Sequence, residues 1–440
     1  MAIPHPAFGL SFSMENTYQI QVSQMAAELN PPSILAFAYE IRRRKAEGEN
    51  VADYTIGDYN TQDFGLPAGL TKRILMHYEE GHTNYPPAFG IAELRQEVAD
   101  FYKEELDVNY DPDKEVLIAA GVRPHIFGAY MTLLDPGDRV IFGEPSWNNE
   151  YYSHIVGAHA QAVPTKPESR FLLTLADVEH LLPEATLLCL GSPANPAGTV
   201  YDAQTLTDLA RAVVAENKRR EPRGVKPLYM LYDQVYWKIT FGEYKHHHPV
   251  ALVPEVKPYC ISVDGASKYF AATGIRVGWS TGPTPVMQKM TGVLAHVGAW
   301  APKPEQMALA DYLPLREDRN RFIQSLSDEL YSRLRQVYDG FEQMRVAGLP
   351  VRAIPPMGGM FMSVYFGVQG WKTSDGEQLK NNTAIRDYLL NKAQSGLLPF
   401  DVFGAVQADG WFRIAVGGLT KDEIAPSLER IHRAIAALES

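Results

Sequence analysis

Short apolar runs alternate with amphipathic stretches through the middle of the chain. Five runs rich in β-branched and aromatic residues predict buried strands, at 116–120, 139–142, 186–190, 228–232 and 259–263. Between two of these runs, apolar residues recur at helical spacing, at Leu206, Leu209, Ala210, Val213 and Val214. Strand, helix and strand in this order predict an α/β fold with a mostly parallel sheet flanked by helices. Ligands bind such sheets where loops leave the carboxyl ends of the strands.

The last hundred residues have a different pattern. A helical repeat at Phe322, Leu326, Leu330, Leu334 and Val337 predicts one long helix. A glycine-rich segment at 356–361 and an apolar run at 411–416 follow, and Thr420 and Glu423 have the spacing of a capping box for a terminal helix. We predict a large domain at 64–325 and a smaller α+β domain that combines residues 326–440 with part of 1–63.

Composition narrows the class of protein. The 440 residues carry a net charge of −11, which argues against a nucleic acid or an anionic membrane as the partner. The basic cluster at 42–45 is interpreted as the solvated end of a helix. No apolar run approaches the roughly 20 residues of a membrane helix, and residues 1–6 lack the pattern of a secretory signal. Cys189 and Cys260 lie in apolar runs and are expected to be buried thiols, so a cytoplasmic setting is predicted.

The segment around Lys268 combines two kinds of chemistry. Lys268 follows Ser267 among small and apolar residues, and Arg276 comes eight residues later between Gly274 and Gly278. A desolvated lysine near another cation loses its proton more easily, and the neutral amine can attack a carbonyl to form a Schiff base. An arginine between glycines is suited to binding a phosphate bidentately. Pyridoxal 5'-phosphate (PLP) requires both a carbonyl trap and a phosphate site.

Polar residues follow two of the predicted strands. Asn195 lies in a Pro- and Gly-rich segment that is also typical of an ordinary turn. Asp233 and Tyr236 follow the next strand, where a carboxylate is often a helix cap. A carboxylate there could also keep a pyridine nitrogen protonated, because an opposite charge favours the cationic form. Tyr236 could reach the phenolic oxygen of the cofactor from the same turn.

Two earlier strand ends carry further candidates. Val122 and Arg123 precede an apparent helix that is expected to begin near His125, and free N–H groups at a helix start form an anion site. Trp147 follows the next strand, either as a packed core indole or as a flat surface stacked on a heteroaromatic ring.

Other motifs argue against rival chemistries. The tract at 246–248, three consecutive histidines, has no spaced acidic or cysteine partners and is expected to be a solvated loop, so no metal site is predicted. The dinucleotide-binding, P-loop, zinc-protease and hydrolase motifs are absent from the sequence.

From about residue 36 to its C-terminus, the chain resembles a class I, fold-type I PLP-dependent aminotransferase of the aspartate-aminotransferase-like superfamily. The matching segments occur in the family's order. They are Gly57, Tyr85, 90–95, 134–138, Pro145-Ser146-Trp147, Asn195-Pro196-x-Gly198, Asp233-x-x-Tyr236, Ser267-Lys268, Arg276-x-Gly278-Trp279 and Arg413. The resemblance implies a large domain with a mostly parallel sheet of seven strands and a smaller α+β domain.

The resemblance also implies roles for single residues. Lys268 would form the internal aldimine and carry the proton between the substrate and the cofactor, and Asp233 would pair with the pyridinium nitrogen. Asn195 and Tyr236 would bind the cofactor's O3′, and Trp147 would stack on its ring. Arg276 and the backbone around Val122 and Arg123 would hold the phosphate, joined by Tyr85, and Ser267 would also bind the cofactor. Arg413, beside the backbone of Gly57, would bind the substrate α-carboxylate. Tyr85 would come from a neighbouring subunit, which implies a homodimer with shared active sites.

The chain departs from the family pattern at the phosphate site. Many members have a hydroxyl residue three positions before the lysine, where this chain has Gly265, and the segment 121–124 also lacks the usual Ser or Thr. We hypothesise that Arg123 supplies charge in place of the missing hydroxyls. The alternative is that Arg123 faces an acidic substrate side chain.

The predicted activity is therefore ping-pong transfer of an amino group from an amino acid to a 2-oxo acid. One alternative is a PLP-dependent lyase or decarboxylase, because the choice depends on orientation and solvent exclusion. A non-catalytic sensing domain on the same fold is the other alternative. Substrate specificity is expected to depend on entrance residues that include Tyr59, Asn60, Trp300 and Lys303.

Overall fold

Helices and strands alternate along the chain in the computed structural model, which describes residues 22–29 and 33–440. Its helices are α1 (Gln24–Glu28), α2 (Ser33–Ala46), α3 (Ala68–Glu79), α4 (Ala92–Leu106), α5 (Val122–Leu133), α6 (Asn149–Val156), α7 (Leu175–Val178), α8 (Ala203–Arg220), α9 (Pro249–Leu252), α10 (Thr284–His296), α11 (Lys303–Tyr312), α12 (Arg316–Val346), α13 (Asn382–Ala393) and α14 (Lys421–Ala436). Its strands are β1 (Ala52–Asp53), β2 (Val116–Ala119), β3 (Arg139–Glu144), β4 (His159–Pro164), β5 (Ala185–Gly191), β6 (Tyr229–Asp233), β7 (Cys260–Gly265), β8 (Gly278–Thr281), β9 (Val351–Ala353), β10 (Phe361–Phe366), β11 (Ser395–Gly396), β12 (Leu398–Pro399) and β13 (Trp411–Ala415).

A seven-stranded sheet forms the centre of the structure, with the strand order β2-β8-β7-β6-β5-β3-β4. The pairs among β3 to β7 are parallel, and β8 runs antiparallel to both of its neighbours. The five predicted strands are all present, so the mostly parallel α/β fold is confirmed.

Both faces of this sheet are buried, which explains the continuous apolar runs. On β5, Leu187 packs in the same cluster as residues of α5 and α10, whereas the next residue, Leu188, packs in the cluster that contains α8. Successive side chains of a strand point to opposite faces, so a strand covered by helices on both sides needs apolar residues at every position.

Two strands of the sheet have no such run. The residues of β4, which lies at the sheet edge, are half-buried or exposed. The four residues of β8 are buried, but they include glycine, serine and threonine. An edge strand needs apolar side chains at fewer positions, and only one of the four residues of β8, Trp279, is a large apolar residue, so neither strand has a recognisable run.

The C-terminal part contains an antiparallel sheet with the order β12-β13-β10-β9. The predicted long helix is α12, and the predicted capping box at Thr420 and Glu423 begins α14. Near the start of the chain, β1 pairs in parallel with β11. The division at 63/64 and 325/326 stays a prediction, and the second of these boundaries falls within α12.

Helix α5 begins earlier than the sequence indicated. We expected its start near His125, but its first residue is Val122, and its N-cap is Gly121 at φ 88°. The prediction was wrong because Pro124 was taken to lie outside the helix, whereas proline is tolerated in the first turn, where its missing N–H has no helical partner.

Residues 246–248 form a loop before α9, as expected, but the expectation that this loop is solvated was wrong for His248. His248 is buried, its Nε2 lies 2.9 Å from Ser262 Oγ, and its Nδ1 accepts the Val250 N–H that begins α9. Burial lowers the pKa of His248 to about 3, so this ring is neutral near pH 7. The rings of Tyr102, Tyr110 and Tyr232 pack around it.

The structure also bears on the expectations for the basic cluster, the cysteines and membrane helices. The basic residues at 43–45 occupy the last turn of α2, and Cys189 and Cys260 are buried free thiols. Among the described residues, no helix is long and apolar enough to cross a bilayer. Residues 1–6, which lack a secretory signal pattern, lie outside the described residues.

Candidate active site

A cavity of about 530 Å³ opens at the carboxyl ends of the central strands. It lies where β3, β5, β6 and β7 give way to loops, as expected for a mostly parallel sheet. All of the residues predicted to act in catalysis or to bind the cofactor or the α-carboxylate, except Tyr85, line this cavity. These residues are Gly57, Val122, Arg123, Trp147, Asn195, Asp233, Tyr236, Ser267, Lys268, Arg276 and Arg413. The fold therefore brings together residues that are up to 356 positions apart in the sequence, from Gly57 to Arg413.

Tyr85 lies away from this cavity. Its side chain is 82% exposed, and its ring packs edge-on against Trp300 at 5.1 Å. Its expected role needs a second subunit and stays a prediction.

Lys268 extends into the cavity from the loop after β7. Its Nζ donates a hydrogen bond to the Gly57 carbonyl oxygen at 2.7 Å and lies 5.6 Å from the centre of the Tyr236 ring. Burial lowers the pKa of Lys268 to about 8; Asp58 opposes this shift, and Arg413 and two other arginines add to it. Lys268 is thus more easily deprotonated than a solvated lysine, as a nucleophilic amine requires.

Asp233 ends β6 with its carboxylate in the cavity wall. Its Oδ1 accepts the Val235 N–H at 3.1 Å, and no lysine or arginine of the described residues forms an ion pair with it. Burial raises the pKa of Asp233 to about 6, while the Val235 N–H and the charge of Lys268 lower it. A half-buried carboxylate without a cationic partner is stabilised by any cation that enters the cavity.

Arg413 enters the cavity from β13 in the C-terminal sheet. It donates to Asn195 Oδ1 at 2.9 Å and to the Thr55 carbonyl oxygen at 2.5 Å, and its Nε is buried without an acceptor. The guanidinium lies over the rings of Phe361 and Phe403. Burial lowers its pKa to about 10. A buried arginine with unused donor capacity is suited to binding a carboxylate.

Glycines determine the shape of the cavity near Arg276. The guanidinium donates to Thr273 and Ala120 carbonyl oxygens, and a Cβ on Gly121 would lie 2.2 Å from its Nη2. Arg276 therefore lies against the first turn of α5, where the backbone N–H groups without helical partners are also suited to binding an anion. Together these groups form an anion site.

The same packing explains why this chain has Gly265 where the resemblance led us to expect a hydroxyl residue. A Cβ on Gly265 would lie 2.8 Å from the Gly278 Cα and 2.9 Å from the Val277 carbonyl oxygen. Because β7 and β8 approach this closely, no side chain fits at residue 265.

Two aromatic residues complete the cavity wall. The guanidinium of Arg123 lies 5.2 Å from the centre of the Trp147 ring. Tyr236 is buried, and burial raises the pKa of its hydroxyl well above the usual value, while the charges of Arg413 and Arg123 lower it. Tyr236 thus keeps its proton and can donate a hydrogen bond.

The residues expected at the entrance do not line the cavity. Tyr59 is buried beneath it and donates to the Lys268 carbonyl oxygen at 2.7 Å, while Lys303 donates to Asn84 at 2.8 Å. Asn60 and Trp300 also lie outside the lining. Burial of a tyrosine ring depends on packing between distant segments, which the sequence around Tyr59 does not reveal.

The sequence reasoning missed two lining residues with charge. Asp58 raises the pKa of Lys268 and accepts the Thr273 hydroxyl at 2.7 Å, and Arg42 reaches the cavity from α2. Asp58 could have been found, because it follows Gly57 directly. The sequence does not single out Arg42, because it is the first of four consecutive basic residues that are typical of a solvated helix end.

Comparison with known proteins identifies the family. The sequence pattern of aminotransferase class I and II matches residues 50–431. A probable aspartate/prephenate aminotransferase of Aquifex aeolicus is 26% identical, over 94% of this chain and 98% of that protein. A bifunctional aspartate aminotransferase and glutamate/aspartate-prephenate aminotransferase of Petunia hybrida is 28% identical, over 86% of this chain and 75% of that protein.

Solved structures of aspartate aminotransferases have the same fold as this chain. The crystal structure of the aspartate aminotransferase from Rhizobium meliloti has a TM-score of 0.86 and 26% identity, and the match covers 95% of this chain and 100% of that chain. An aspartate aminotransferase from Thermus thermophilus, with 24% identity and a TM-score of 0.82, shares the fold.

The cavity also fits the cofactor of this family. The anion site at Arg276 suits a phosphate, the unpaired carboxylate of Asp233 suits a pyridinium nitrogen, and the amine of Lys268 suits an aldehyde. Neither the lyase nor the sensing domain is favoured by these matches. The chain belongs to the class I and II aminotransferase family and is a PLP-dependent transaminase that acts on amino acids and 2-oxo acids.

Proposed function

We propose that the preferred substrates are dicarboxylic amino acids of the aspartate and glutamate type and their 2-oxo acids. One observation carries this proposal: Arg413 and Arg123 line the cavity together with Arg276 and Arg42, and none of these four arginines forms an ion pair with a described acidic residue. One guanidinium suffices for an α-carboxylate. A second suits a carboxylate on the substrate side chain, as the aspartate named for the relatives has.

Electrostatics favours Arg123 for that second role. The charges of Arg413 and Arg123 both lower the pKa of the Tyr236 hydroxyl. Arg123 is therefore close to the same part of the cavity as Arg413. The hypothesis that it replaces hydroxyl groups at the phosphate is the less favoured of the two.

The residue roles follow from the contacts described above. When bound, PLP supplies a carbonyl carbon that takes up the amino group and a ring that accepts electron density from the substrate Cα. Arg413, held by Asn195, binds the α-carboxylate, and Lys268 Nζ removes the proton from the substrate Cα. Asp233 stabilises a protonated ring nitrogen, and Tyr236 donates a hydrogen bond from its hydroxyl.

The substrate proposal can be tested with Arg123→Met, which removes the charge but keeps an apolar contact with Trp147. We expect kcat/KM for aspartate, relative to that for an apolar amino acid, to fall by about 10-fold or more, because a hydrogen bond to a charged group contributes ~1.5–3 kcal/mol. The affinity for PLP should not change. The control, Arg276→Met, should weaken PLP binding and leave the substrate ratio unchanged. Weaker PLP binding by Arg123→Met, with an unchanged ratio, would favour the phosphate role instead.

Transfer can be separated from lyase chemistry by a half-reaction. Aspartate added to the holoenzyme should remove the visible absorbance of the bound cofactor, and a dicarboxylic 2-oxo acid should restore it. Release of ammonia during the first step would contradict the proposal.

We further propose a homodimer in which Tyr85 of one subunit completes the phosphate site of the other. In support, Tyr85 is strongly exposed and has no function in its own cavity. Mixing an inactive Lys268→Ala chain with an impaired Tyr85→Ala chain should restore activity, because hybrid dimers contain one intact site. No gain over the separate variants, despite dimers in sedimentation, would exclude a shared site.

The proposed compartment is the cytoplasm. Buried free thiols at Cys189 and Cys260 are compatible with a reducing environment. Fractionation of the source cells, with activity as the readout, tests this assignment.

A further inference from the structure

Outside the cavity, two histidines and a glutamate converge at the end of α3. They are His77, Glu80 and His82, and one nitrogen or oxygen atom of each lies within 4.8 Å of those of the other two. Glu80 Oε2 lies 3.2 Å from His77 Nδ1 and 3.2 Å from His82 Nε2. No residue of this group lines the active-site cavity, and none has a role in transamination as described above.

The backbone at the helix end brings the three side chains together. Helix α3 ends at Glu79, and Gly81 adopts φ 79°, a left-handed conformation that favours glycine. The chain then turns back, so that the His82 N–H donates to the His77 carbonyl oxygen at 3.1 Å. The two imidazole rings consequently lie edge to face, with 5.3 Å between their centres.

The ring of His77 lies between two carboxylates, those of Glu80 and Asp311. His77 is only 5% exposed, and its Nε2 lies 2.8 Å from Asp311 Oδ2 on α11. An ionised carboxylate only accepts hydrogen bonds, so Nε2 carries the hydrogen that faces Asp311. Nδ1 is buried and has no hydrogen-bond partner, although Glu80 Oε2 lies 3.2 Å away. A metal ion bound by both this nitrogen and the Glu80 carboxylate would satisfy the two groups together.

The spacing suits a divalent transition metal. Zn²⁺ binds histidine nitrogen and carboxylate oxygen at about 2.0–2.2 Å, so ligand atoms in a tetrahedral site are roughly 3.3 Å apart. Both contacts of Glu80 Oε2, at 3.2 Å, are close to this separation. The remaining ring nitrogen of a metal-binding histidine usually donates to a carboxylate, which fixes the tautomer, and Asp311 occupies that position for His77.

We propose that His77 Nδ1, Glu80 and His82 Nε2 form a site for Zn²⁺ or a similar divalent transition metal. Asp311 holds His77 in the metal-binding tautomer, and water occupies the remaining coordination positions, because Glu80 is half exposed. The bound metal would link the end of α3 to α11 through His77 and Asp311. This site departs from the sequence prediction that the protein has no metal site.

The test is calorimetric titration of the metal-free holoenzyme with ZnCl₂. We expect one site per chain, with zinc affinity at least about 100-fold weaker in Glu80→Gln and in His82→Ala, which each lose a ligand. In Asp311→Asn the affinity should fall by about 10- to 100-fold, as is usual for a group that orients a ligand. His159→Ala, which removes an exposed histidine on β4, is the matched control and should bind zinc as the wild type does.

All variants change partly exposed side chains, so circular dichroism and the visible absorbance of the cofactor should show that they fold and bind PLP. X-ray absorption at the zinc edge should show two imidazole ligands in the wild type and one in His82→Ala. If the wild type binds zinc no more tightly than Glu80→Gln, the proposal is wrong.

Discussion

Two aspartates on adjacent strands of the central sheet have opposite surroundings. Asp264 on β7 is fully buried, and its carboxylate accepts hydrogen bonds from Trp237, Tyr102 and Tyr269 side chains and from the Gly265 N–H. Asp233 at the end of β6 accepts one backbone N–H and faces the cavity. Burial raises the pKa of both, to about 8 for Asp264 and to about 6 for Asp233.

The difference separates a structural carboxyl group from one that is available to a ligand. Every donor that faces Asp264 comes from the protein, so nothing further can bind there. Asp233, Lys268 and Arg413 each have charge or hydrogen-bonding capacity that the protein leaves unused, and all three line one cavity. Buried polar groups that lack protein partners are expected to have a function, because their burial is otherwise unfavourable.

The largest effect is expected for Lys268→Ala. Transamination should fall by about 10⁴-fold or more, since the variant loses both the amine that attaches the cofactor and the base that moves the proton. The variant should still fold and retain some non-covalent PLP. Lys289→Ala, an exposed lysine on α10, is the control. Steady-state kinetics measure the loss of transamination, and the cofactor absorbance measures the retained PLP. A Lys268→Ala enzyme with normal activity would contradict the catalytic role of Lys268.

The two aspartates can be compared directly as asparagine variants. Asp233→Asn should lower kcat by roughly 10²- to 10³-fold, the size of effect seen when one preorganised electrostatic group is lost from an active site. Asp264→Asn should change kcat by much less, because its carboxyl group does not reach the cavity. Equal losses of kcat in two well-folded variants would show that the distinction between the two carboxyl groups is wrong.

Arg413→Lys should impair catalysis less than Asp233→Asn and more than Asp264→Asn. The ammonium group cannot bind a carboxylate bidentately, so KM for the amino acid should rise by roughly 10- to 100-fold. The affinity for PLP should remain as in the wild type. Substrate titration and PLP titration of the same preparations separate these two outcomes, and a loss confined to PLP affinity would contradict the assigned role.

The smallest effect on catalysis, and the main one on stability, is expected at Asp264. Asp264→Asn should lower the free energy of unfolding by about 1–3 kcal/mol at pH 5, because the amide brings N–H donors towards groups that are themselves donors. Urea denaturation with the cofactor bound measures this, and an unchanged midpoint would contradict it.

The stability difference between the wild type and Asp264→Asn should depend on pH. The pKa of Asp264 is raised above its usual 3.8 to about 8, so the folded state holds this proton more tightly than the unfolded state does. The proton on Asp264 therefore contributes to the free energy of unfolding. This contribution is complete below about pH 4 and is lost as the pH rises towards 8. The stability difference between the wild type and Asp264→Asn should therefore narrow between pH 5 and pH 8. A constant difference would indicate that Asp264 does not titrate in this range.

Much of the central sheet could be predicted from the sequence, because burial on both faces requires continuous apolar runs in β2, β3, β5, β6 and β7. The edge strand β4 is not buried on both faces, and the buried strand β8 contains glycine, serine and threonine, so neither has a continuous apolar run and both were missed. The start of α5 was displaced because Pro124 is compatible with a first helical turn as well as with a loop. The resemblance supplied candidates for the site, and all but Tyr85 line one cavity.

The sequence by itself determined the strand and helix pattern, the family and the set of residues that can carry PLP chemistry. These depend on local periodicity and on residue types in a fixed order. Only the tertiary structure decided that Asp264 is fully hydrogen-bonded and Asp233 is not, that Gly265 has no room for a side chain, and that His77, Glu80 and His82 meet at a helix end. These properties depend on which distant groups share a space, and hydrogen bonding, steric exclusion and desolvation act over distances in space rather than along the chain.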